Sequence, residues 1–266
     1  MKNKTVVLTG ASEGIGEALA LALAAQGANL VLAARNQAKL NGVRQRCQAQ
    51  QAQVLAVQTD VAKREDCQNL IQQAVGFFGG LDVLINNAGI SMSVRFDDID
   101  DLSIFERLMR VNYLGVVHCT HHALPHLKTR RGLLVAISSW QGKAGFPLSS
   151  GYAASKHALQ GLCDSLRIEL YPHGVDVLVV SPGPVDTAIH SRKFGRTGNN
   201  GGAVQQQDLM SPEQCAQLIV QAIARRERDV VLTLRGKLIP WLKLIAPRVL
   251  DQMLARGVEE FYTKPQ

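Results

Sequence analysis

The sequence predicts a single doubly wound α/β domain, with a parallel sheet of about seven strands and helices on both faces. Three observations predict it. Short, nearly continuous apolar runs alternate with longer stretches patterned at a helical period. The first of those runs empties into a glycine-rich turn that opens a helix. Finally, 46% of the 266 residues are hydrophobic and only 19% are charged, which supplies a core and argues against disorder.

The apolar runs fall at Val6–Leu8, Leu30–Ala33, Val54–Val57, Val83–Ile85, Leu133–Ile137 and Val175–Val180. Runs this short, apolar without alternation, suit strands covered on both faces. A weaker seventh strand is expected at Asp229–Leu234. Helical patterning fills Glu17–Ala25, Ala38–Gln50 and Glu65–Phe78, so the connections read as βαβ crossovers. Asp97, Asp98, Asp100 and Asp101 precede a helix expected near Leu102, where carboxylates serve as caps and a solvated face. No repeat at solenoid periods is present. Gly195–Ala203, dominated by Gly and Asn, has the composition of a mobile loop; it reads either as a lid over a substrate or as a plain connector. The expected organisation is one domain over residues 1–235, including a lid around 187–210, and a C-terminal amphipathic helical extension over 236–266.

Several function classes drop out. Cys47, Cys67, Cys119, Cys163 and Cys215 are odd in number and lack any C-x-x-C pairing, so they read as buried thiols of a reduced compartment. The first strand begins by about residue 5, which leaves no room for a signal peptide, and no run approaches eighteen apolar residues. A cytoplasmic protein is expected. His118, His121, His122 and His126 share one helical stretch without an H-E-x-x-H pattern, so no metal is expected. The basic residues are not interleaved with stacking aromatics, which argues against nucleic acid as a partner.

The glycine-rich turn reads Thr9-Gly10-Ala11-Ser12-Glu13-Gly14-Ile15-Gly16. Gly10 permits the tight turn, Gly14 lets backbone approach a pyrophosphate, and Gly16 lets the helix pack close to the strand. Phosphates would sit at the positive end of the helix beginning near Gly14. Farther on, Tyr152 and Lys156 stand four residues apart, which puts them on one face of a helix. An ammonium beside a phenol favours the phenolate, and the pair is expected to bring the Tyr152 pKa down toward neutrality. Ser139 lies thirteen residues before Tyr152.

The Thr9–Gly16 turn, Asn86-Asn87-Ala88-Gly89, Asn112, Ser139, Tyr152, Lys156 and Pro182-Gly183 follow an order and spacing that resembles the short-chain dehydrogenase/reductase family over roughly residues 5–235. The stretches Ile137–Lys143 and Tyr152–His157 look most like its 11β-hydroxysteroid dehydrogenase branch. The resemblance implies a Rossmann-type fold and an oxidoreductase. It implies Tyr152 as general acid and base, Ser139 as the group that holds the substrate oxygen, and Lys156 on the nicotinamide ribose. Asn112 would hold a water that links Lys156 to solvent. Gly10, Ser12, Gly14, Ile15 and Gly16 would contact the cofactor phosphates. Asp60 and Val61 would take the adenine, with Asp60 as a helix N-cap the plainer alternative. Asn87, Ala88 and Gly89 would line the cofactor, and Pro182, Gly183, Val185 and Thr187 would grip the carboxamide. Family members are commonly dimers or tetramers built on the helix that holds Tyr152.

Cofactor choice is argued at the end of the second strand. Ala34 stands where a carboxylate would bind the ribose 2′-hydroxyl of NAD, and Arg35 can pair with a 2′-phosphate, so NADP(H) is expected. Glu13 sits where many NADP-dependent relatives carry a cation, which removes one possible phosphate partner. Trp140, Phe146, Leu148, Ile189 and Phe194 are expected as pocket walls, which suits a lipophilic carbonyl or alcohol: a steroid, a long-chain lipid or an aromatic ketone. The tail from Arg235 to Pro247 is basic, apolar and contains Trp241. Such a segment fits either peripheral contact with a membrane surface or packing against protein. Two functions stand at this point: a carbonyl reductase or alcohol dehydrogenase, and a non-catalytic NADP(H)-binding sensor or scaffold.

Overall fold

A computed structural model describes residues 1–189, 191–198 and 209–263. Strand and helix alternate from the start: β1 (Thr5–Thr9), α1 (Gly14–Ala24), β2 (Asn29–Ala34), α2 (Gln37–Gln48), β3 (Val54–Gln58), α3 (Arg64–Phe78) and β4 (Val83–Asn86). The second half holds α4 (Ser103–Met109), α5 (Gly115–Arg130), β5 (Leu133–Ile137), α6 (Ser150–Leu170), β6 (Asp176–Ser181), α7 (Pro212–Ala224) and β7 (Asp229–Val231). Two further helices close the chain, α8 (Leu234–Ile245) and α9 (Pro247–Thr263). Among the described residues the strands form one seven-stranded parallel sheet, in the order β3-β2-β1-β4-β5-β6-β7.

Neighbouring strand residues point to opposite faces, and here both faces are covered. Val6, Leu8, Leu30 and Leu32 pack with the apolar sides of α1, α2 and α7. Val7, Val31, Leu84 and Leu134 pack on the other side with α3, α5 and α6. Burying each such Leu or Val contributes about 1.5–3 kcal/mol, which is why the strands carry no polar alternation. All five cysteines are buried and unbridged. No helix among the described residues is long and apolar enough to cross a membrane.

Element ends differ from the expected ones for local reasons. Helix α1 starts at Gly14, where the glycine-rich turn was expected to open a helix; the apolar patterning begins only at Glu17 because glycines carry no apolar signal. Strand β7 stops at Val231, short of the expected Leu234, because the Thr233 side chain accepts from Gly236 N at 3.1 Å and caps α8. Asp60 is not a helix N-cap: its Oδ1 accepts from Ala62 N at 3.0 Å, and Lys63 holds the N-cap of α3. Residue 190 and residues 199–208 of the expected lid, with the Gly/Asn-rich run from 199 to 203, lie outside the described residues.

Between β1 and β4 the order of strands reverses direction along the sheet. A crevice forms at the carboxyl ends of strands at such a point, and that is where the site lies.

Candidate active site

A cleft of about 990 Å³ runs across the carboxyl edge of the sheet. Its floor is made by the residues that leave each strand: Gly10 after β1, Arg35 after β2, Asp60 after β3, Asn87 after β4 and Ser138 after β5. The crevice is large enough to bury a dinucleotide-sized ligand.

At its outer end the glycine-rich turn folds tightly against the strand β4 exit. Gly10 has φ +66°, and a Cβ there would meet Ala88 Cα at 2.8 Å. On Gly16 a Cβ would fall 2.0 Å from Gly10 O, so any side chain would push α1 off the sheet. Asn87 fixes this arrangement: Nδ2 donates to Thr9 O at 3.0 Å and Gly10 O at 3.2 Å. Thr9 Oγ1 in turn accepts from Asn87 N and Ala88 N, at 3.0 and 3.1 Å. Glu13, the N-cap of α1, makes no side-chain capping bond, and Gly14, Ile15 and Gly16 line the cleft. The positive end of α1 therefore opens onto the groove, where it suits a phosphate.

Charge gathers beside this turn. Arg35 and Asn36 line the cleft at the end of β2, and Lys39 joins them from the first turn of α2. Lys39 Nζ donates to Glu13 Oε2 at 2.8 Å. Arg192 reaches the other Glu13 oxygen from the far wall and forms an ion pair across the cleft. Burial pushes the Glu13 carboxyl up, but Lys39 and Arg192 more than reverse it and leave the group below its ordinary value. The local balance is thus three cations against one carboxylate, a field that attracts an additional anion.

The inner end is built differently. Tyr152 and Lys156 both line the cleft from α6, one turn apart as their spacing predicts. Helix α6 approaches α4 closely because Gly151 faces Phe105 and Leu108; a Cβ there would lie 2.8 Å from the Phe105 ring. Lys156 is buried, and its Nζ donates to Ile137 O at 2.9 Å. Burial pulls the ammonium down to about 8, with only Cys163 pushing the other way. Part of the Tyr152 ring remains open to the cleft, yet burial pushes its phenol up to about 12, and a hydrogen bond with Ser139 draws it back only in part. The expected lowering of the phenol pKa by Lys156 is therefore corrected. The ammonium stands 5.7 Å from the Tyr152 ring centre and is committed to a carbonyl, so burial wins.

Asn112 is held firmly beside this pair. It lies in a π turn, Arg110–Leu114, wedged between α4 and α5. Its Oδ1 accepts from Ile90 N at 2.9 Å, and Nδ2 donates to Ile90 O at 3.0 Å and Ser155 Oγ at 2.9 Å. The side chain ties the exit of β4 to α6. It still borders Lys156, since a Cβ on Gly89 would lie 3.4 Å from Asn112 Oδ1 and 3.8 Å from Lys156 Nζ.

Comparison with known proteins meets this geometry directly. The family model for short chain dehydrogenases matches residues 4–197. The chain belongs to the short-chain dehydrogenase family. An 11-beta-hydroxysteroid dehydrogenase-like protein 4A of Arabidopsis thaliana is 36% identical over 257 residues, covering 94% of this chain and 83% of that one. The dehydrogenase/reductase SDR family member 7B of Bos taurus is 36% identical over 265 residues, covering 96% and 81%. Among solved structures, an alcohol dehydrogenase from Thermococcus sibiricus complexed with 5-hydroxy-NADP superposes with a TM-score of 0.76 at 29% identity, covering 87% of this chain and 96% of that one. The fold and the oxidoreductase class follow from this membership.

Within this short-chain dehydrogenase the cleft gathers most of the residues expected at the cofactor: Gly10, Ser12, Gly14, Ile15, Gly16, Arg35, Asp60, Val61, Asn87, Ala88, Gly89, Tyr152, Lys156 and Thr187. Pro182, Gly183 and Val185 stand behind that lining. Pro182 O accepts from Trp140 N at 3.0 Å, a Cβ on Gly183 would meet Thr233, and Val185 bridges Met210. Ser139 also stands just behind, reaching the site through its bond to Tyr152. Of the expected pocket walls, Ile189 and Phe194 line the cleft. Trp140 and Phe146 do not: they stack on each other at 5.2 Å and turn toward Ile239 and Leu250. Lys39, Arg110 and Arg192 are cleft residues that sequence reasoning missed. Only Lys39 had a signal, a cation four residues past Arg35.

Proposed function

We propose that this short-chain dehydrogenase interconverts a ketone or aldehyde and an alcohol on a lipophilic small molecule, using NADP(H), with Tyr152 as general acid and base. One observation carries the reading: a single cleft joins the cationic end of β2 to the Tyr152–Lys156 pair.

When bound, the nicotinamide supplies or accepts the hydride. Tyr152 gives its phenolic proton to the carbonyl oxygen in reduction and takes it back from the alcohol in oxidation. A phenol held at about 12 stays protonated through the neutral range, which is the state reduction requires. Ser139, bonded to that phenol, orients the oxygen that receives the proton. Lys156, cationic below about 8, is placed to donate to the ribose hydroxyls from the cleft floor.

Three features support NADP(H). Ala34 offers no carboxylate to repel a 2′-phosphate, Arg35 offers a guanidinium fork, and Lys39 adds a second cation within the same lining. Glu13 is already neutralised by Lys39 and Arg192. The Thermococcus relative was itself solved with an NADP derivative. The lipophilic substrate is supported by Ile90, Ile189 and Phe194 on the cleft wall, and by the apolar cluster of Met92, Val94, Ile104 and Leu108 that packs against Tyr152.

The test is NADPH consumption by the purified protein over ketones and aldehydes graded in length and ring count, with Tyr152→Phe and NADPH binding measured in parallel. Turnover that climbs with apolar size and is lost in Tyr152→Phe, with binding kept, is expected. Full activity in that variant refutes the acid–base role. Binding without turnover across the panel turns the reading toward a sensor.

A further inference from the structure

Arg192 owes its position to the stretch that carries it, residues 191–196 on the far wall of the cleft. That stretch is anchored beyond Arg192. Phe194 N donates to Ser91 O and Ser93 N donates to Phe194 O, both at 2.9 Å, and the Arg107 guanidinium lies 4.4 Å over the Phe194 ring. Two residues on, Asp100 N donates to Arg196 O at 3.0 Å, and the two side chains form an ion pair at 3.3 Å. Ahead of it, Thr187 stands against the glycine-rich turn: a Cβ on Gly14 would lie 3.0 Å from Thr187 Cγ2. Between these anchors Arg192 Nε donates to Ala188 O at 3.2 Å, while Nη2 donates to Glu13. Backbone as well as carboxylate therefore holds the guanidinium over the mouth of the cleft.

Glu13 is shared. One oxygen takes Lys39 and the other Arg192, so two cations from opposite walls converge on one carboxylate. The sequence sets an acid where many NADP-dependent relatives carry a cation, and the fold returns a cation to that place from across the groove. We propose that Arg192 is a ligand of the NADP(H) 2′-phosphate, reached by exchange of its Glu13 partner, so that the phosphate that selects the cofactor also pins residues 191–196 over it. This rests on the NADP(H) reading above. A phosphate monoester carries a charge of about −1.5 to −2 at neutral pH and three acceptor oxygens, against the single charge that Lys39 and Arg192 divide at Glu13. Its oxygens match the guanidinium fork, and Arg35 stands in the same lining to share it. NAD(H) offers only a hydroxyl there, which leaves Arg192 with Glu13.

The experiment titrates NADPH and NADH into the full chain by cofactor fluorescence, and repeats both titrations for Arg192→Ala and Arg192→Lys. No turnover is needed. Arg192 is exposed, so neither change should move the thermal melt. Loss of a charge-assisted pair to phosphate should weaken NADPH about tenfold in Arg192→Ala and leave NADH within about twofold, and Arg192→Lys should recover part of the loss. Amide exchange read by mass spectrometry gives a second measure. Residues 191–196 should exchange more slowly with NADPH than with NADH in the wild-type chain, and alike with the two in Arg192→Ala. Wild-type protein that binds NADH as tightly as NADPH refutes the cofactor reading and this proposal together. A preference for NADPH that Arg192→Ala keeps in full refutes the proposal alone and leaves the phosphate to Arg35 and Lys39. Equal losses for both cofactors overturn it too, by moving Arg192 to the pyrophosphate.

Discussion

The two ends of the cleft handle charge in opposite ways. At the outer end Lys39 and Arg192 form part-exposed ion pairs with Glu13 that solvent screens, and Arg35 stands exposed beside them. At the inner end Lys156 and Tyr152 are held in surroundings that disfavour ionisation, and each is shifted by burial before anything else. The outer end selects by attraction and can be retuned at little structural cost. The inner end gains chemistry by desolvation, and the fold bears that cost.

The largest effect expected from breaking this contrast is catalytic. Tyr152→Phe removes one oxygen and leaves the ring in its apolar cluster, so turnover should fall by about a thousandfold with the melting temperature unchanged. Equal turnover would show that proton transfer runs elsewhere.

Lys156→Met sharpens the contrast in stability. A buried ammonium shifted from 10.5 to about 8 costs the fold about 3 kcal/mol at neutral pH, offset in part by its bond to Ile137 O. The cost is in full force below pH 8 and disappears as pH rises toward 10.5, because the unfolded chain then also holds a neutral lysine. Urea titrations should find the variant more stable at pH 7, with the gap closing by pH 10.5. A constant gap would assign the effect to packing.

At the outer end Arg35→Ala with Lys39→Ala should weaken NADPH binding by about tenfold to a hundredfold and leave NADH binding nearly unchanged, as titration of cofactor fluorescence can read. Equal losses for both cofactors would mean that these cations hold the groove and do not choose the cofactor. Glu13→Gln is the smallest change. It should cost under about 1 kcal/mol in stability, since the ion pairs are part-exposed. By releasing Lys39 it should tighten NADPH by about threefold. Weaker NADPH binding would show that Glu13 positions Lys39.

How much of this was legible in the sequence follows the same divide. Strands covered on both faces gave unbroken apolar runs, so Leu133–Ile137 was found at its observed bounds. Tyr152 and Lys156 were legible because helical spacing alone fixes their shared face. Their acidities were not, because burial comes from residues distant in the chain, such as Met92 and Phe194 around Tyr152. Arg192 could not be placed at Glu13, 179 residues away in the chain. Periodicity showed that the tail owned an apolar face, but only the packing of Ile239 and Leu250 settles which side is covered.

The π turn at Arg110–Leu114 carries a further consequence, best put in terms of phase. Such a turn closes i→i+5 bonds and so inserts one residue, about 100° of rotation, into an otherwise regular helix. Helices α4 and α5 are therefore one rod with two azimuths. Upstream, Ile104 and Leu108 face the cluster around Tyr152; downstream, Cys119, Ala123 and Leu127 face the sheet. A single-residue deletion inside the turn would restore uniform winding and swing one of those stripes off its partner. One extra residue thus lets a single continuous element wall two compartments, with Asn112 as the pin between them.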